Sequence, residues 1–106
     1  MANAAFDAWV VKFLIAVNNY NTNVGQWNAK GETKKVTNPD KTYPPILTLR
    51  AELSNILNYN PPLRLQALSS LDRIINVGGK IKNGKHRFLY IVDIKLWISK
   101  YSSLIR

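Results

Sequence analysis

Apolar side chains recur at three- and four-residue intervals from the start of the chain. Phe6, Trp9, Val10, Phe13, Leu14, Val17 and Tyr20 keep that spacing, which puts them on one face of a helix. The pattern predicts a first helix over 3–20, with Asn3 as its N-cap. Asn18, Asn19 and Asn21 follow, and asparagine favours turns and caps, so the helix is expected to stop there. Residues 21–43 then read as a long polar loop carrying Gly25, Gly31, Pro39 and the cations Lys30, Lys34, Lys35 and Lys41. Loops this long are uncommon unless functional or disordered, so an ordered one needs something to hold it. Trp27 and Val36 would pin it to the domain's own core; a bound partner is the other way.

Two proline pairs punctuate the middle of the chain. Pro44-Pro45 opens a second helix with Ile46, Leu49, Leu53, Ile56 and Leu57 on one face, because a proline in the first turn costs no intrahelical hydrogen bond. Asn60-Pro61-Pro62 repeats the device before Leu63, Ala67, Leu68, Leu71, Ile74 and Ile75, and Gly78-Gly79 is the expected stop. The short link at 58–60 makes these helices antiparallel neighbours. Asn83-Gly84 is a tight-turn signal. The last segment, 88–106, carries Ile91, Ile94, Trp97, Ile98, Tyr101, Leu104 and Ile105 at helical spacing. We read 88–92 as part of this helix. The alternative is a strand from Arg87 to Val92, then a helix capped by Asp93, since Phe88 to Val92 is aromatic and β-branched.

These elements predict one mainly α domain over 1–106, a compact bundle of four or five helices. A short β-hairpin is allowed near residues 80–92. The expected core is Phe6, Trp9, Phe13, Val17, Leu49, Leu53, Ile56, Leu68, Leu71, Ile75, Ile94, Trp97 and Ile98. Phe88 is placed in the core as well, whereas Tyr90 is open to either side.

Charge changes the picture from a plain bundle to a binder of polyanions. Fifteen Lys and Arg face six Asp and Glu in 106 residues, a net charge of +9. The excess is lopsided. From Arg73 onward there are eight cations (Arg73, Lys80, Lys82, Lys85, Arg87, Lys95, Lys100 and Arg106) against Asp93 alone. A uniform charge for solubility would be spread evenly, so nucleic acid is the expected partner. The candidate contacts are Lys80, Lys82, Lys85 and Arg87, followed by Arg73, Lys95 and Lys100. Phe88 and Tyr90 are the aromatics nearest the cluster that would stack unpaired bases.

The inventory for chemistry is short. Cysteine is absent and there is one histidine, which excludes disulfides and thiolate metal sites and fits a cytoplasmic location. His86 sits among cations, a setting that disfavours both its protonation and metal binding. The apolar run Val10–Val17 is interrupted by Lys12 and preceded by Asp7, unlike a signal peptide, and no run approaches a membrane span. We therefore expect no catalysis, no cofactor, no metal, no small-molecule substrate and no membrane contact.

Three resemblances qualify this reading. Asp72, then Asp93-Ile94-Lys95 after an apolar run, resembles the acid…acid-x-lysine signature of restriction-type nucleases. That likeness implies Asp72 and Asp93 as metal ligands, Lys95 positioning the attacking water and Glu52 as an added acid. Gly79 to Ile98, a basic turn leading into Asp-Ile-x-x-Trp-Ile, resembles winged or excisionase-like helix-turn-helix proteins, although helix 63–77 offers only Arg64, Gln66 and Arg73 for base edges. The whole layout, short, basic, helical and without cysteine, resembles the small subunits of CRISPR effector ribonucleoprotein complexes. This third likeness rests on no motif. It implies a non-catalytic subunit that contacts the DNA or RNA backbone with little sequence preference alongside other protein subunits.

Overall fold

The computed structural model describes residues 3–30, 35–76, 79–80 and 86–105. It is mainly helical. Helix α1 spans Ala4–Lys30, a 3-10 turn spans Pro39–Lys41, α2 spans Pro44–Ile56 and α3 spans Pro61–Ile75. Strands β1 (Gly79–Lys80) and β2 (His86–Arg87) precede α4 (Ile91–Ser102). The strands pair antiparallel, Gly79 opposite Arg87 and Lys80 opposite His86, as a hairpin in this region requires; the turn expected at Asn83-Gly84 lies outside the described residues.

Helix α1 overturns the predicted end at Tyr20 and with it the long loop at 21–43. Its 27 residues rise about 40 Å, close to the 47 Å long axis of the molecule. The asparagines are weak helix formers, but their intrinsic preference is worth only a fraction of a kcal/mol each. Burial of Tyr20, Val24 and Trp27 on the same face as Phe13 and Val17 outweighs it. The connection to α2 is correspondingly shorter, and Val36 and Trp27 are both buried, so the chain's own core holds this region.

The helix starts follow the sequence closely. Asn3 Oδ1 accepts from Phe6 N at 3.0 Å, and Asn60 Oδ1 accepts from Leu63 N at 3.3 Å. Both proline pairs occupy first-turn positions. The expected helix at 88–92 is corrected: β2 ends at Arg87, and α4 begins at Ile91 with Tyr90 as its N-cap. Asp93 lies in the first turn and is not the cap.

The core is stacked along α1. Trp9 lies 5.8 Å from Phe6 and 4.7 Å from Phe13, both near parallel, and meets Trp97 of α4 at 5.7 Å. The indole N–H of Trp9 donates to Leu49 O and that of Trp97 to Ala67 O at 3.0 Å, so each buried polar handle finds a backbone acceptor. Leu49, Ile56 and Ile98, expected in the core, are half-buried at its margin. Helices α1 and α2 run antiparallel, joined by the Lys12–Glu52 pair and by contact of Tyr20 with Tyr43. Helices α2 and α3 are antiparallel too. Arg50 grips both oxygens of Asp72 at 2.9 Å, and Tyr43 donates to Ile75 O at 2.7 Å. The hydrogen bonds to Asp72 raise the Arg50 pKa against the opposing effect of partial burial.

Two outcomes follow for stability. Leu53→Ala, at a fully buried position, costs about 2–5 kcal/mol in urea unfolding. Leu65→Ala, at a position 69% exposed, changes it by less than about 0.5 kcal/mol. Burial first, then the neighbouring Tyr20 and Asp72, raises the Tyr43 pKa. Its contribution is complete below the ordinary tyrosine value of about 10 and is lost as pH rises through the higher folded value. Tyr43→Phe therefore flattens the alkaline limb of the stability curve, read from urea midpoints as pH rises above about 10.

Candidate nucleic-acid interface

The C-terminal half of α1 is a rail on which an extended segment is mounted. Asn28 Oδ1 accepts from His86 N at 3.0 Å, and its Nδ2 donates to His86 O at 2.9 Å. Asn21 repeats the arrangement on Leu89, accepting from N at 2.8 Å and donating to O at 3.0 Å. Each amide thus satisfies one residue's donor and acceptor together, as a neighbouring strand would. The spacings match: seven helical residues rise about 10.5 Å, and three extended residues cover about 10 Å. Between the two clamps Tyr20 Oη donates to Arg87 O at 2.9 Å. Residues 86–89 are therefore fixed by their backbone, antiparallel to α1.

A third asparagine secures the preceding loop. Asn23, 7% exposed, donates to Thr37 O at 2.6 Å and accepts from Thr42 Oγ1 at 2.7 Å. That loop carries Asp40, whose carboxylate lies 3.9 Å from His86 Nδ1. His86 is 1% exposed and stands edge-on to Trp27, with ring centroids 5.9 Å apart. The histidine expected among solvated cations is instead a buried wedge between α1 and the 3-10 turn.

Backbone anchoring leaves the side chains on either side of Leu89 outside. Leu89 is 2% exposed, whereas Phe88 and Tyr90 are 46% and 58% exposed, and Arg87 is exposed. Phe88 was expected in the core; its ring rests instead over Gly25 of α1, 3.8 Å from where a Cβ would stand. On α4, Val92 and Leu96 are exposed as well, and Leu96 lines the cleft between α3 and α4.

The candidate cations divide between two places. Arg87 lies on the mounted segment. Lys80 lies opposite His86 on β1, while Lys82 and Lys85 fall outside the described residues. Arg73 and Lys100 line a cleft of about 360 Å³ between α3 and α4 together with Asp93, Ser70, Trp97 and Tyr101, and Lys100 Nζ lies 5.4 Å from the centre of the Tyr101 ring. Lys95 is exposed on α4 and is not among the cleft residues. Among the candidates whose side chains are described, Arg87 does not join Arg73 and Lys100 in the cleft. Lys30, assigned to a loop on sequence grounds, belongs with the hairpin end: it is exposed in the last turn of α1, just beyond the Asn28 clamp, where the helix dipole favours a cation.

The nuclease-like residues take different elements from those the resemblance requires. Asp72 lies within α3 with both oxygens on Arg50, and Asp93 and Lys95 lie on α4, not on a strand. Among the described residues no three His, Cys, Asp or Glu side chains come together to hold a metal ion, and no helix is long and apolar enough to cross a membrane. Comparison with protein-family models, curated proteins and solved structures found no match.

Asn21→Ala and Asn28→Ala each lower stability by about 1–3 kcal/mol, because each leaves a partly buried peptide without its partners. Hydrogen exchange should rise first at the amides of His86 and Leu89, with the α2–α3 amides little changed. Uniform exchange across the chain would show that the clamps do not act locally.

Proposed function

We propose that the protein is a non-catalytic nucleic-acid-binding protein that contacts the phosphate backbone with little sequence preference, as a small subunit of a larger assembly. The observation that carries this reading is the separation of charge. Of the five described acids, Glu52, Asp72 and Asp40 face Lys12, Arg50 and His86, while Asp7 and Asp93 are exposed, as are the more numerous cations Arg87, Lys30, Lys95, Lys100 and Arg73. The positive excess of the last third of the sequence is thus not consumed inside the fold. Phosphate contacts by such side chains release condensed counterions and need no base-specific geometry. The likeness in layout to small CRISPR effector subunits accords with a rod 47 Å long and about 22 Å across, a shape suited to lying along a backbone.

A second reading rests on element order. Helices α2 and α3 are joined by a four-residue turn, and the hairpin follows α3, as the wing does in winged helix-turn-helix proteins. Against it, Arg64 of α3 is tied to Asn58 Oδ1 at 3.2 Å, leaving Gln66 and Arg73 to read bases.

The test is binding to a random 30-nucleotide strand and its duplex between about 50 and 200 mM salt, where a protein making 6–10 phosphate contacts loses roughly 10³–10⁵-fold in affinity. The combined Lys80→Ala, Lys82→Ala, Lys85→Ala and Arg87→Ala variant should fold normally and bind both more weakly, with a shallower salt slope. Unchanged affinity would remove the hairpin from the interface. A footprint on one preferred duplex site would favour the helix-turn-helix reading.

A further inference from the structure

We infer that the ledge formed by Arg87, Phe88 and Tyr90 is a base-stacking site for an unpaired nucleic-acid strand; this rests on the nucleic-acid reading above and specifies the form of the ligand. Large aromatic side chains are normally drawn into a core, and this protein does bury Phe6, Trp9, Phe13, Tyr20, Trp97 and Tyr101. Phe88 and Tyr90 are held outside by construction. The clamp of Asn21 on Leu89 and the burial of the Leu89 side chain send the residues before and after it to the other face of an extended chain. Tyr90 has the extended backbone that this requires, φ −78° and ψ 103°, and its side chain makes no cap to α4.

The spacing selects the ligand. Alternate residues of an extended chain stand about 6.7 Å apart, roughly twice the ~3.4 Å rise of a stacked strand. Duplex bases are stacked and turned inward, so they do not present faces at that separation. An unstacked single strand does. Phe88 Cε1 and Cζ lie 3.8 and 3.9 Å from where a Cβ on Gly25 would stand, and the rest of the half-exposed ring is open to a base. Arg87 immediately precedes it, with its carbonyl fixed by Tyr20; its side chain leaves from the opposite face of the chain, but it is exposed and long enough to reach a phosphate flanking the stacked base. Asp93, the acid nearest in sequence, is exposed on α4 but lines the α3–α4 cleft beside Arg73 and Lys100, so cations flank it there.

The experiment compares labelled 30-nucleotide DNA and RNA strands with the DNA duplex, for the full chain and for Phe88→Leu, Tyr90→Leu and the double variant. Far-ultraviolet circular dichroism and urea midpoints serve as controls for folding. Each leucine should weaken single-strand binding roughly tenfold and the pair roughly a hundredfold, with duplex binding changed less than about threefold. Preference for the DNA or the RNA strand identifies which one the ledge serves. Phe88→Trp supplies a second measurement that does not depend on the leucine variants. Its exposed indole should be quenched by a saturating strand, against the weak response of Trp9, Trp27 and Trp97, which are buried. Equal affinity for strand and duplex, with no loss in the double variant and no quenching, overturns the ledge while leaving backbone binding intact. Binding of neither at about 50 mM salt overturns both.

Discussion

Two asparagine side chains on one helix determine where the last third of this protein sits. Asn21 and Asn28 each close a two-hydrogen-bond ring with a peptide of the 86–89 segment. The match between two turns of helix and three extended residues lets both rings form without strain in either partner. An isolated two-residue strand pair has almost no stability of its own. It is held here because α1 supplies, through side chains, the hydrogen bonds that a larger sheet would supply through backbone. A buried polar group repays its desolvation only when its donors and acceptors are met, and these amides meet both.

The clamp also explains why α1 is so long. Helices α2, α3 and α4 have 13, 15 and 12 residues and cover only about half its length. Helices α2 and α4 meet its N-terminal half at Trp9, whose indole donates to Leu49 O and packs on Trp97, while α3 is held through α2 and α4. The C-terminal half of α1 has no fourth helix to meet, and polar side chains on that half hold the loop and the hairpin instead. The same helix therefore has an aromatic end that builds the core and an asparagine-rich end that displays a segment. Backbone anchoring suits display. It fixes the path of residues 86–89 while leaving Arg87 and Phe88 without structural duties that would draw them inward.

The two halves also differ electrostatically. In the helical half, Lys12–Glu52 and Arg50–Asp72 close contacts between neighbouring helices. Such partly exposed pairs contribute little to stability, but they use acids that would otherwise offset the cations elsewhere. The hairpin end has Asp40 turned toward buried His86 and keeps Arg87 and Lys30 exposed. Cations and exposed aromatics together are the combination by which single-strand binders hold a backbone and its bases at once.

Hydrophobic spacing and punctuation by themselves determined the helical class, the two Pro-Pro helix starts, the Asn3 cap and most of the core, because these depend on local geometry and on burial of a single face. They also determined the net charge and its concentration after Arg73. The continuation of α1 was written in the sequence too: Val10, Phe13, Val17, Tyr20, Val24 and Trp27 alternate three- and four-residue steps without a break. The asparagines between them obscured it, since an asparagine that ends a helix and one that bonds a remote peptide from within a helix look alike in sequence. Only tertiary structure decided that difference, along with the burial of His86, the exposure of Phe88 and the division of the cations between hairpin and cleft. Each depends on what lies opposite a side chain in space, 58 and 68 residues away for the two clamps, and no local pattern carries that distance.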